Sequence, residues 1–127
     1  MIKLHLASRI ILMGEASSQL NIKELSEQVL YNIRKRKGYN PNVSKQHQAA
    51  VSNSVSRYDD LRTLKTRTLI IHGKDDPFIP IEHSKKCVNL IPNVDSLWVD
   101  NMGHDIPNEL IPIITQKIMG NFIQQLD

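Results

Sequence analysis

Residues 69–80 read Leu69-Ile70-Ile71-His72-Gly73-Lys74-Asp75-Asp76-Pro77-Phe78-Ile79-Pro80, and this stretch decides the fold. An apolar, β-branched run stops at a glycine and delivers two carboxylates into a loop braced by prolines. A buried parallel strand presents acids at its carboxyl end in this way. Thr66 to His72 is expected as that strand. Residues 95–100, where Leu97 and Val99 alternate with Trp98 and Asp100, predict a second strand. Asn101-Met102-Gly103-His104-Asp105 then sets a histidine at the same edge of the sheet. An acid and a histidine at neighbouring strand ends point to acid–base chemistry.

Working outward, Ile81 or Glu82 begins a helix that reaches Ile91 and is stopped by Pro92, with Ser84, Cys87, Val88 and Ile91 on its inner side. Cys87 reads as a small core residue, since nothing near it in sequence would activate a thiol. Asn108 to Leu126 predicts a final helix with a buried stripe of Ile111, Ile114, Ile118 and Phe122, and Pro112 falls in its first turn, where a missing N–H costs little. Upstream, Arg9 to Met13 is short, apolar and closed by Gly14, and is expected as a buried strand. Asn21 and Glu24 resemble a capping pair for a helix carrying Ile22, Leu25, Val29 and Ile33. After the break at Tyr39-Asn40-Pro41, a further helix places Val43, His47, Ala50, Ser54 and Tyr58 on one face, and its small residues suggest close helix packing. The order is strand, two helices, strand, helix, strand, helix, an α/β organisation with a helical insertion.

The 127 residues suit one domain able to bury roughly two thirds of its unfolded surface. With 40% apolar and 23% charged residues, no run approaches the length of a membrane span, so no membrane partner is expected. Sixteen Lys and Arg against thirteen Asp and Glu give a net charge of +3, too mild to name an anionic partner. The densest charge run, Arg34-Lys35-Arg36-Lys37, suits a solvated helix end better than a nucleic-acid footprint, and no nucleic acid is expected. A lone cysteine cannot form an internal disulfide, and the apolar run after the basic start lacks a secretory cleavage pattern, so the expected place is the cytoplasm.

His72 through Pro80, followed by Met102-Gly103-His104, resembles the carboxyl-terminal half of the α/β-hydrolase fold. In that family the acid follows the strand-end glycine by three residues, and the histidine follows a glycine after the final strand. The resemblance makes Asp76 the triad acid and His104 the triad base, leaving Asp75 to cap or solvate the turn. It spans Thr66 to Phe122. Arg9-Ile10-Ile11-Leu12-Met13-Gly14 is similar to the strand after the family's nucleophile helix. The implied fold is the carboxyl-terminal part of an α/β-hydrolase sheet, about three parallel strands, with a helical cap insertion. Residues 1–14 would supply a core strand, 15–60 the cap, and 61–127 the core carrying acid and base.

No G-x-S-x-G motif occurs in the sequence, and in this family the nucleophile elbow precedes both acid and base. The chain is therefore expected to be the back half of an enzyme, beginning just past its nucleophile and weak or inactive alone. The implied substrate is a small ester or acyl compound, and no cofactor is implied. Three strands taken from a larger sheet would leave an edge open to self-association. A non-catalytic remnant that still binds a small ligand is the alternative. A metal site at His72, Asp76, His83 and His104 is disfavoured, because no H-x-x-x-H or H-E-x-x-H spacing occurs.

Overall fold

The computed structural model describes residues 2–35, 38 and 40–123. In chain order its elements are α1 (Ile2–Leu12), a 3-10 turn at Gly14–Gln19, α2 (Ile22–Arg34), α3 (Pro41–Ser52), α4 (Tyr58–Arg62), β1 (Thr68–Gly73), α5 (Ile81–Leu90), β2 (Val94–Val99), a 3-10 turn at Asn108–Leu110, and α6 (Ile111–Ile123). The two strands are parallel, with Thr68 opposite Val94 and Gly73 opposite Val99, so they end level. A parallel pair needs a crossover, and α5 supplies it, packing on both strands.

α6 packs on β1. It is tied to the sheet by Lys117 to Asp95 of β2 at 2.6 Å and, just before β1, by Arg67 Nε donating to Asn121 Oδ1 at 3.1 Å. Between them Val99, Met102 and Ile114 are buried, with Ile71, Leu97 and Leu110 packed around. α1 packs against α2, where Met13, Leu25 and Val29 are buried. Burial of each such side chain contributes about 1.5–3 kcal/mol. The expected cap of α2 is present: Asn21 Oδ1 accepts the Glu24 N–H at 3.2 Å. Asn40 likewise accepts the Asn42 N–H, at 3.1 Å, and Pro41 opens α3.

Three expectations are corrected. Residues 1–14 do not form a core strand, because Ile2–Leu12 is helical and the sheet has two strands among the described residues rather than three. The four-residue apolar run Ile10-Ile11-Leu12-Met13 fits a buried strand or a helix equally well. The less exposed positions, His5, Leu6, Arg9, Ile10, Leu12 and Met13, recur at helical spacing once the residues before Arg9 are included. The close packing expected after Pro41 is also absent, since every residue of α3 is exposed. Of the α6 stripe only Ile114 is buried, while Ile111, Ile118 and Phe122 stay exposed. Arg36 and Lys37 of the basic run, Tyr39, and residues 124–126 of the expected last helix lie outside the described residues.

Two glycines respond in opposite ways to a methyl group. A Cβ at Gly73 would overlap the carbonyl oxygens of Met102 and Gly103, whereas one at Gly120, inside α6, meets nothing within 4 Å. Gly73→Ala is expected to destabilise the fold by about 2 kcal/mol or more. Gly120→Ala is expected to stabilise it by roughly 0.5–1 kcal/mol through helix propensity. Urea unfolding of the two variants beside wild type checks both signs.

Candidate active site

The level ends of β1 and β2 turn into two loops held against each other. After Gly73, the Lys74 N–H donates to the Val99 carbonyl at 2.9 Å, Asp75 N–H to Met102 at 3.0 Å, and Asp76 N–H back to Gly73 at 3.3 Å. After Val99, Asn101 takes a left-handed turn at φ 59°, a conformation asparagine tolerates better than most residues. The next residues then meet the end of α1. Gly103 N–H donates to the Met13 carbonyl at 2.9 Å, and the N–H groups of His104 and Asp105 both donate to Leu12, at 2.5 and 3.0 Å. A Cβ on Gly103 would overlap the Leu12 carbonyl oxygen, so this docking requires glycine. Arg9 and Asp105 form an ion pair across the same junction.

Asp76 and His104 are brought together. His104 Nδ1 lies 2.9 Å from Asp76 Oδ2. Asp76 Oδ1 accepts the Phe78 and Ile79 N–H groups at 2.8 and 2.9 Å. The turn-capping role expected of Asp75 therefore falls to Asp76. The Asp76 side chain is 5% exposed and that of His104 is 37% exposed. Burial pushes the Asp76 carboxyl up. The Ile79 N–H, His104 and the Phe78 N–H together outweigh that and hold it below its ordinary 3.8. Phe78 sets its ring edge-on to the His104 imidazole, with centroids 5.3 Å apart.

His72, a candidate above only for the disfavoured metal site, is buried behind this pair. Its Nε2 is 3.0 Å from the Ile79 carbonyl oxygen and its Nδ1 is 2.8 Å from Ser84 Oγ. Neither the Ser84 contact nor the Arg9–Asp105 pair is announced by a motif. The first joins residues a strand end and a helix face apart, and the second joins opposite ends of the chain. Among the described residues, no cluster of three or more His, Cys, Asp or Glu could hold a metal ion. No helix among them is long and apolar enough to cross a membrane. A cavity lined by Arg9, Met13, Glu24 and Leu25 includes neither Asp76 nor His104.

The whole arrangement can be compared with solved structures. The meta-cleavage product hydrolase CumD of Pseudomonas fluorescens IP01, as a mutant complexed with acetates, superposes with a TM-score of 0.72 over 98% of this chain, at 19% identity. A second CumD mutant gives a TM-score of 0.73 at 20% identity, again over 98% of this chain. This chain has part of the α/β-hydrolase fold. MGS-MChE2, an α/β hydrolase from a lagoon-sediment metagenome, matches this fold at a TM-score of 0.52 and 26% identity over 85% of the chain. In sequence, the 2-hydroxymuconate semialdehyde hydrolase of Pseudomonas putida is 30% identical over 80 residues, or 63% of this chain. No family model matches the sequence. The hydrolase-fold chain spans 46% of each CumD chain, and the aligned region is 28% of the P. putida protein.

The lowered Asp76 carboxyl sets a sign for pH dependence. A carboxyl whose pKa is depressed on folding contributes stability that is present above its unfolded value and lost as pH falls through its folded value. Wild-type unfolding free energy is therefore expected to decline on acidification below the ordinary 3.8 of Asp76. In Asp76→Asn part of that decline should vanish, which denaturant titrations at a series of pH values would show.

Proposed function

We propose that Asp76 and His104 are the acid and base of a hydrolase active site whose nucleophile lies outside these 127 residues. The observation that carries this reading is the 2.9 Å contact between His104 Nδ1 and Asp76 Oδ2. With the carboxylate ionised, Nδ1 holds the proton and donates it to Oδ2. The Nε2 lone pair is then the one left to receive a proton from an attacking hydroxyl or water, and Asp76 stabilises the imidazolium that results. The two N–H groups on Oδ1 keep the carboxylate from rotating away from the base. When the tetrahedral intermediate collapses, the same Nε2 gives that proton to the leaving group.

The chemistry calls for a substrate with a carbonyl carbon open to attack. A carboxylic ester is the first reading, and its basis is the family resemblance of the sequence. A second reading is favoured by the relatives themselves, whose activities are hydrolysis of 2-hydroxymuconate semialdehyde and of meta-cleavage products. In this proposal residues 15–60 form the cap over the substrate and residues 61–127 the core that carries acid and base. Each strand is paired along one edge only among the described residues, which supports self-association through the open edge. Small-ligand binding without turnover is the competing role.

The purified chain is expected to turn over a short-chain aryl ester and 2-hydroxymuconate semialdehyde weakly or not at all. Adding a separately expressed amino-terminal half that carries a nucleophile elbow should restore activity. His104→Ala should then remove about 10²–10⁴-fold of the restored rate. Restored activity indifferent to His104→Ala would sink the assignment of the base.

A further inference from the structure

The acid of this pair is itself held from behind. His72 is 8% exposed, and both its ring nitrogens are engaged. A carbonyl oxygen can only accept, so Nε2, 3.0 Å from the Ile79 oxygen, carries a proton. In the neutral ring Nδ1 is then the acceptor, and the Ser84 hydroxyl donates to it across 2.8 Å. Ile79 also donates its own N–H to Asp76 Oδ1 at 2.9 Å. The result is one hydrogen-bonded chain running from Ser84 on α5 through His72 at the end of β1, then Ile79 and Asp76, to His104 on the loop after β2.

We propose that His72 and Ser84 are positioning residues for Asp76, fixing through Ile79 the loop that aims its carboxylate at His104. This rests on the reading of Asp76 and His104 as acid and base. A buried histidine with two partners can be simple core filling, but here the partners decide otherwise. Phe78 and Ile79, whose N–H groups hold Asp76, are themselves 71% and 39% exposed on a loop between Pro77 and Pro80, so apolar packing restrains them little. The His72 bond fastens that loop to the buried strand end. The tautomer also matters: His72 Nε2 is 3.8 Å from Asp76 Oδ2, but its proton is committed to the Ile79 carbonyl. Oδ2 therefore stays available to His104, 2.9 Å away.

The test uses the full chain, isotopically labelled, and needs no substrate. Long-range proton–nitrogen correlation should show His72 as the Nε2–H tautomer, and the Asp76 carboxyl carbon, followed against pH, should titrate below 3.8. In Ser84→Ala and in His72→Gln that midpoint should rise towards 3.8, because the loop no longer keeps its N–H groups and His104 on the carboxylate. Ser84→Thr, which retains the hydroxyl, should restore it. If His72→Gln does not fold, Ser84→Ala, which leaves the ring in place, carries the test. An unmoved Asp76 midpoint in folded Ser84→Ala, or an Nδ1–H tautomer at His72, overturns the proposal. Absence of restored turnover counts against the hydrolase reading alone, and an unmoved midpoint counts against the positioning pair alone.

Discussion

The parallel ladder between Thr68–Gly73 and Val94–Val99 is the constraint on which everything else rests. Because Gly73 sits opposite Val99, both strands stop at the same height, and the chain leaves each of them into the same space. Asp76 is three residues past one end and His104 five residues past the other, within easy reach of each other. A shift of one residue in the pairing would move one strand end by about 3.3 Å and turn its side chains to the other face. That displacement exceeds the 2.9 Å that now separates imidazole from carboxylate. The loops add their own ties, Lys74 and Asp75 to the β2 side and Gly103 to the end of α1, so neither end is free to drift.

The adjacency of Asp76 and His104 is legible in the sequence because it depends on local features. An apolar run ending at Gly73, a fixed short step to Asp76, and a second run followed by Gly103-His104 need no knowledge of distant partners. α5 and the Asn21 cap are legible for the same reason. What fails is what depends on neighbours. Arg9 to Met13 has the composition of a strand, and only the pattern from His5 onward turns it into a helix face. The α6 stripe has the right spacing, but spacing says nothing about whether a surface exists to cover it. Asp75 and Asp76 compete for the turn on paper. In the fold one carboxylate does both jobs, using one oxygen for each.

The fold is thinly covered. Ile111, Ile118 and Phe122 on α6 and all of α3 lie at the surface. Short polar ties, such as Lys117–Asp95 and Lys74–Asp100, both at 2.6 Å, bridge elements around the small core of Val99, Met102 and Ile114. Exposed ion pairs of this kind contribute little each, typically under about 1 kcal/mol. The buried groups around the strand ends therefore matter more to this chain than the ties on its rim.

One carboxylate with two duties ties heredity to geometry. Asp76 closes its own loop with Oδ1 and faces His104 with Oδ2, so its loss is felt in folding whether or not anything is hydrolysed. The exposed ring of His104 closes no loop, and its loss would cost folding only its contact with Oδ2. A lineage freed from the need for turnover, yet still required to fold, would keep Asp76 and let His104 wander.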